Sequence, residues 1–261
     1  RRRRTGPVSR TSQAVAQTRA SLERPRSPTG DPLAQRRLCR GMPPMGTLTL
    51  RPSIVARTRF FDDQVLAALA AGVTQVVICG AGYDDRALRF RTAGVRFFEV
   101  DHPATQVDKA RRLKAIGAQI DDLVLVPADF RAADVAEALA QAGHDADRRS
   151  LFTCEGLLVY LDVPTTARLL GGLRTAAAPG SVLAASLAAH AEGRDSVRVV
   201  AAANARRRNA EGEPWRTILA MGEHRRILES AGWRVTGNVD AADLNSDAPP
   251  GRTQLVTARP S

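Results

Sequence analysis

The sequence predicts an α/β fold built on a mostly parallel sheet. Short, continuously apolar runs rich in β-branched residues recur along the chain, such as QVVIC at 75–79 and LVLV at 123–126. Segments of helical composition separate them. One of these runs leads directly into a glycine turn, Gly80-Ala81-Gly82, after which a helix opens. Strands buried on both faces and joined by helices are what a parallel sheet requires.

Taken in order, residues 1–10 read as a disordered basic tail, since RRRRTGPVSR offers almost nothing to bury. A helix is expected from Ser9 to Leu22, where Val15, Arg19 and Leu22 fall at helical spacing. Residues 11–53 form an N-terminal helix and a lid segment; six Pro and three Gly between Pro25 and Pro52 predict mostly irregular chain there. The main domain is predicted over 54–261. It starts with a helix from Ile54 to Ala71, whose stripe is Phe60, Phe61, Val65, Leu66 and Leu69, closed by Gly72. Strands follow at 75–79, 95–100, 123–126, 150–154, 181–187, 233–239 and 253–258. Helices between them are expected at 103–116, with proline in its first turn, at 132–140, from the cap Asp162 to Ala178, within 190–213, and at 217–231.

Charge and composition narrow the function. The 261 residues carry a formal charge of +11. Residues 1–51 hold 12 Arg against Glu23 and Asp31, a net +10, which leaves 26 basic and 25 acidic residues in the body, a net +1. A body without a positive field argues against a whole-domain nucleic-acid binder, and a basic tail holding nucleic acid stays as an alternative. No apolar stretch reaches the length of a membrane span. The basic start lacks the apolar segment of a secretory signal, although an Arg- and Ser-rich transit peptide fits it. Cys39, Cys79 and Cys154 are widely spaced and match neither a disulfide framework nor a zinc site, so a cytoplasmic setting is expected. No His or Cys pair has metal-ligand spacing.

The most informative stretch is QVVICGAGYDDRALRF, 75–90. Glycines in such a turn let a ligand approach the backbone, and ligands of these sheets bind at the carboxyl ends of the strands. The dinucleotide fingerprint needs a third glycine at position 85, where this chain has Asp85. An acid there would repel a pyrophosphate. This disfavours an NAD(P)-dependent oxidoreductase with a Rossmann fold, which stays as the alternative enzyme class. A nucleoside ligand without phosphates, S-adenosylmethionine, fits better; a purely structural turn is the competing reading. Asp101, about 20 residues on, is placed to accept hydrogen bonds from ribose hydroxyls. Asp129 and Phe130 could bond an adenine amino group and pack on its ring. Glu155 lies inside the apolar run CEGLLVYL and needs a partner, either an Arg of the protein or a cationic ligand.

Four stretches occur in order: ARTRFFDD (56–63), GAGYDDR (80–86), FEVDHP (98–103) and CEGLLVYL (154–161). Together they resemble the leucine carboxyl methyltransferase family, in particular its bacterial O-methyltransferase-like branch. VSRTSQAVAQTRA…DPLA (8–34) and AGW (231–233) are similar to that branch too. The resemblance implies a Rossmann-like class I methyltransferase, with a seven-stranded mostly parallel sheet, helices on both faces and an N-terminal helical lid. It implies S-adenosyl-L-methionine as cofactor. Arg57 would hold the methionine carboxylate, Gly80 and Gly82 would line the methionine and ribose, and Asp101 would take the ribose hydroxyls. Asp129 and Phe130 would hold the adenine, and Glu155 would face the amino-acid end. The family usually has Thr where this chain has Asp85, and its Pro-rich segment is longer.

The implied reaction is O-methylation of a small molecule or a carboxylate. An ionised carboxylate needs no base, whereas a hydroxyl acceptor does. Base candidates are sparse. His102 follows Asp101 in the cofactor loop, His190 and His224 read as surface residues, and Tyr160 could at most orient an acceptor. A carboxylate acceptor is therefore favoured. Nothing in the sequence points to a membrane or to an oligomeric state.

Overall fold

The computed structural model describes residues 9–44, 50–206 and 213–261. Arg1–Arg4 and the rest of the first eight residues of the expected tail lie outside these. Ser9 and Arg10 do not belong to a tail. Ser9 caps helix α1 (Arg10–Ala20) by accepting from the Ser12 amide, and Arg10 opens it. The Pro-rich segment is less irregular than expected, because it contains a short helix, α2 (Ala34–Leu38). Helix α3 (Arg51–Ala70) starts three residues before the predicted Ile54, with Pro52 tolerated in its first turn.

Five strands follow at or close to their predicted positions: β1 (Gln75–Cys79), β2 (Arg96–Asp101), β3 (Leu123–Pro127), β4 (Ser150–Cys154) and β5 (Val182–His190). They alternate with α4 (Arg86–Arg89), α5 (Pro103–Ala115), α6 (Val135–Gln141) and α7 (Val163–Thr175). Helix α4 is a single turn. The polar segment 190–213 is not helical throughout: His190 ends β5, and α8 spans Ser196–Arg206. The predicted helix at 217–231 begins instead with a two-residue strand, β6 (Leu219–Ala220), before α9 (Met221–Ser230). Strand β7 (Trp233–Asp240), α10 (Ala241–Leu244) and β8 (Thr253–Pro260) complete the chain.

The expected seven strands form the main path β3-β2-β1-β4-β5-β8-β7, and among the described residues the two-residue β6 adds an eighth beside β5. The strands from β3 to β5 are mutually parallel, and β8 runs antiparallel to both β5 and β7. Strand order reverses between β1 and β4, so β1, β2 and β4 end around one crevice. Such a switch point is where open α/β sheets bind ligands.

Alternate residues of each strand feed two cores. Val77, Phe98, Phe152 and Leu183 face α6, α7 and α9 through Leu139, Leu169, Leu173 and Leu228. Trp233 is buried there, its indole N–H donating to the Leu170 carbonyl at 2.9 Å. Val76, Ile78, Phe97 and Leu151 face α3 through Phe61 and Val65. Helix α1 packs against α2 and α3 and places Ala16 against Tyr83 of the glycine loop. The N-terminal segment is thus seated at the carboxyl end of the sheet. Register also brings together two thiols that the sequence separates, since Cys79 and Cys154 are partners on adjacent parallel strands, both free.

Candidate functional site

The turn after β1 has the geometry its glycines allow. Gly80 and Gly82 adopt φ of +67° and +50°, in the left-handed region that side chains disfavour. A Cβ on Gly82 would lie 2.8 Å from Cβ of Ser12, so the glycine is also needed for α1 to sit on the loop. The Gly82 amide donates to Asp101 Oδ2 and the His102 amide to Oδ1, each at 2.6 Å. Asp101 is thus fixed at the end of β2. Burial raises its carboxyl pKa, and the two amides oppose that. His102 caps α5 by accepting from the Ala104 amide at 3.2 Å.

Glu155 finds its partner within the protein. Oε1 accepts from Arg57 Nε at 3.0 Å, while Oε2 accepts from Arg86 Nη1 at 2.6 Å and pairs with Arg19 Nη2 at 2.7 Å. Burial alone would raise this carboxyl, but the three guanidiniums outweigh it and hold the pKa well below the usual range. Arg57 uses only Nε on Glu155, which leaves the terminal edge of its fork available. That guanidinium packs against Gly156, where a Cβ would lie 3.0 Å from Arg57 Cζ. With φ of +66°, Gly156 is a third glycine that this site requires.

The network extends further. Arg86 also bonds Asp62 at 2.8 Å and Asp84 at 2.6 Å. Arg24 bridges Asp62 and Asp85, and Arg89 takes the other oxygen of Asp85. Asp85 is fully buried, with both its oxygens taken up by Arg24 and Arg89. Its pKa is lowered to about 2, because Arg24 and Arg89 overcome the effect of burial. It therefore does not stand against a bound ligand, and charge repulsion at position 85 no longer separates one nucleotide cofactor from another. The cluster contains five guanidiniums (Arg19, Arg24, Arg57, Arg86, Arg89) and four carboxylates (Asp62, Asp84, Asp85, Glu155), one positive charge in excess. Its most exposed member is Arg57, whose side chain is 16% exposed, against 6% or less for the others. Arg19 Nε is buried without a hydrogen-bond partner, an unusual and costly state for a donor.

The remaining candidates are scattered around this core. Asp129 is half-buried and its Oδ1 accepts from the Arg131 amide at 3.0 Å. The Phe130 side chain is buried in the main core, so little of its ring is open to stack on a ligand, and its carbonyl accepts from Arg168. Tyr160 is half-buried in a one-turn 3₁₀ helix just beyond Glu155. His190 and His224 are buried, not at the surface. His190 lies 2.8 Å from both the Ala191 carbonyl and Ser196 Oγ, and His224 bonds the Ala188 carbonyl at 2.9 Å. Sequence reasoning left Asp62, Asp84, Arg86 and Gly156 without roles, although each lay in a quoted motif. Their signal was clustered charge next to apolar or glycine residues, or a glycine directly after a buried strand.

The strand order, the crevice at its reversal and the glycine turn after β1 define the class I methyltransferase fold. A methyltransferase structure from Thermobifida fusca shares it at a TM-score of 0.62 and 17% identity, covering 97% of this chain and 96% of that one. Magnesium protoporphyrin IX methyltransferase from Synechocystis, solved with bound SAH, gives a TM-score of 0.56 at 14% identity, covering 87% and 93%. The profile of the leucine carboxyl methyltransferase family matches residues 23–174, and the chain belongs to that family. A Mycobacterium bovis relative, provisionally named an S-adenosyl-L-methionine-dependent methyltransferase, is 37% identical over 205 residues, covering 75% of this chain and 66% of its own. A Streptomyces coelicolor protein of the same designation is 38% identical over 193 residues, 68% of each chain. The chain thus spans about two thirds of the length of the curated relatives it matches. Among the described residues, no helix is long and apolar enough to cross a membrane.

Proposed function

We propose that the protein is an S-adenosyl-L-methionine-dependent O-methyltransferase, acting on a carboxylate or hydroxyl of a small molecule, with the carboxylate favoured. The observation that carries this reading is the polarity of the crevice. A carboxylate, Asp101, is tied to the Gly82 amide at one side. A surplus guanidinium, Arg57, is anchored on Glu155 at the other. A nucleoside with free ribose hydroxyls and an amino-acid tail matches both ends. The bound cofactor would supply an electrophilic methyl on a sulfonium.

In this reading Arg57 grips the methionine carboxylate through the terminal edge of its fork, the geometry that suits a planar carboxylate. Arg19, buried beside it on Glu155, adds positive charge on the same side. Gly80 and Gly82 let the methionine and ribose lie on the backbone. Asp101 accepts from the ribose, and Asp129 with the loop at Phe130 borders the adenine. α1 and the 25–44 segment roof the cofactor, and α8 borders the acceptor. The protein's work is to orient the reacting atoms and exclude water. No base is assigned: His190 and His224 are committed to carbonyls and Ser196, and Tyr160 could orient an acceptor. A carboxylate acceptor fits that economy. The match to the leucine carboxyl methyltransferase family supports it too.

Calorimetry with S-adenosylhomocysteine tests the site. Arg57→Ala and Asp101→Ala should each weaken binding at least tenfold, about the loss of one charge-assisted hydrogen bond. Unchanged affinity in both variants would refute the assignment. Labelled-methyl transfer to host metabolites, followed by base treatment, tests the acceptor, because an ester label is released and an ether label is kept.

A further inference from the structure

Arg86 is 1% exposed, so it cannot be the residue that meets a ligand. Yet its guanidinium engages three elements of the crevice. Nε donates to Asp62 Oδ1 on α3 at 2.8 Å, and Nη2 donates to the Thr58 carbonyl at 3.2 Å. Nη1 donates to Asp84 of the glycine loop and to Glu155 after β4, each at 2.6 Å. Its backbone amide also donates to Asp84 Oδ1 at 2.8 Å. The fork thereby fixes Glu155 Oε2, and the same carboxylate presents Oε1 to Arg57 Nε.

We propose that Arg86 is a positioning residue for cofactor binding: by clamping Glu155 it holds the Arg57 guanidinium with its outer edge toward the ligand's carboxylate. This rests on the S-adenosylmethionine reading above. Stability alone is a poor reason for such a network. Buried ion pairs are often no more stabilising than apolar residues of the same volume, because removing charges from water costs about what their attraction returns. What the network achieves is direction. A planar fork can serve Asp62, Asp84 and Glu155 at once, whereas an ammonium of equal charge presents three donors at one point and cannot span them. Arg19 also pairs with Glu155 Oε2, at 2.7 Å, but through one nitrogen alone; without Arg86 that single contact lets the carboxylate turn, so that Arg57 folds back onto it with both terminal nitrogens and the outer edge is lost to the ligand.

The test is Arg86→Lys, measured by calorimetry with two ligands. S-adenosylhomocysteine carries the amino-acid carboxylate. 5′-Methylthioadenosine has the same nucleoside and a thioether but no amino acid. The expected result is a loss of about tenfold or more for the first and a change within about twofold for the second. A structural role would weaken both equally, and that outcome overturns the proposal. Arg89→Lys is the comparison, since Arg89 is a buried guanidinium on Asp85 that does not reach Glu155. If it reproduces the selective loss, the effect is general loosening and the proposal fails. Should Arg86→Lys not fold, Asp84→Asn loosens the same clamp isosterically and should give the same selectivity at smaller amplitude; equal loss for both ligands overturns the proposal there too. Failure of the unmodified protein to bind S-adenosylhomocysteine would instead remove the cofactor reading itself.

Discussion

Glu155 and Glu99 flank β1 on opposite sides, and both are buried, yet their surroundings drive them in opposite directions. Glu155 follows β4 and meets three guanidiniums. Glu99 sits within β2, fully buried, and meets one ammonium, that of Lys109. Burial raises both carboxyls. At Glu155 the cations win and the acid stays ionised; at Glu99 they do not, and burial lifts the pKa to about 7 despite Lys109. The difference lies in the number and shape of the donors. Arg forks converge on one carboxylate from several directions, whereas Lys109 divides its ammonium between Glu99 and the Asp84 carbonyl. One glutamate belongs to a fixed charge network that faces the crevice, and the other is an acid at the edge of neutrality inside the sheet.

The largest effect is expected on the Glu155 side. Glu155→Gln removes the charge and one of the two acceptor oxygens shared by Arg19, Arg57 and Arg86, and raises the excess in the buried cluster from one positive charge to two. Breaking a buried pair by deleting one partner costs about 3–5 kcal/mol. The variant should lose that much in urea unfolding at pH 7, with the m-value unchanged, and should lose S-adenosylhomocysteine binding. A loss below about 1 kcal/mol would mean that the cluster relaxes around a neutral residue, and the contrast with Glu99 would collapse.

Asp85 tests the same side by pH. Its carboxyl falls from the ordinary 3.8 to about 2 in the folded chain. A depressed acid contributes stability that is present above its unfolded pKa and is lost as pH drops through the folded value. The native protein should therefore lose stability between about pH 4 and pH 2, by about 2 kcal/mol from this group. Asp85→Asn should begin less stable by a similar amount at pH 6 and lose less across that window. Parallel acid-unfolding curves for the two proteins would show that Arg24 and Arg89 do not depress Asp85.

The two regions also differ in how far the sequence revealed them. The strand positions were legible because central parallel strands are apolar on both faces, and QVVIC and SLFTC match β1 and β4 end to end. Gly80, Gly82, Asp101 and Glu155 come to the crevice because each lies at or beside a strand end whose place the fold dictates, and Arg57 is carried there by α3, which packs on the sheet. The fate of Asp85 was not legible. A local motif gives its distance from the glycines but not the direction of its side chain, and its partner Arg24 is 61 residues away. The same long range concealed Arg86 as a hub and the approach of Cys79 to Cys154. His190 and His224 were misplaced because their bonds to Ala191, Ser196 and Ala188 leave no apolar periodicity. β6 is only two residues long and falls below any patterning signal.

The smallest effect is expected where Glu99 loses Lys109, its one ion-pair partner among the described residues. Lys109→Met deletes the ammonium, but the remaining carboxyl can shed its own charge by binding a proton, an escape that Arg side chains around Glu155 do not have. At pH 6, below the folded value of about 7, Glu99 is already largely protonated, so the variant should lose only about 1 kcal/mol, chiefly the hydrogen bond to the Asp84 carbonyl. The sign reverses relative to Asp85. A carboxyl whose folded pKa lies above its unfolded 4.5 holds a proton in the folded chain that the unfolded chain has released, so stability falls as pH rises through that interval. In the native protein the fall levels off above about 7. Without Lys109, which pulls the value down, it continues to higher pH at up to about 1.4 kcal/mol per pH unit. Urea midpoints at pH 6 and pH 8.5 should therefore show a deficit that widens with pH. A deficit equal at both would mean that Glu99 is ionised throughout and held by other donors, which would make it a second Glu155 and not its opposite.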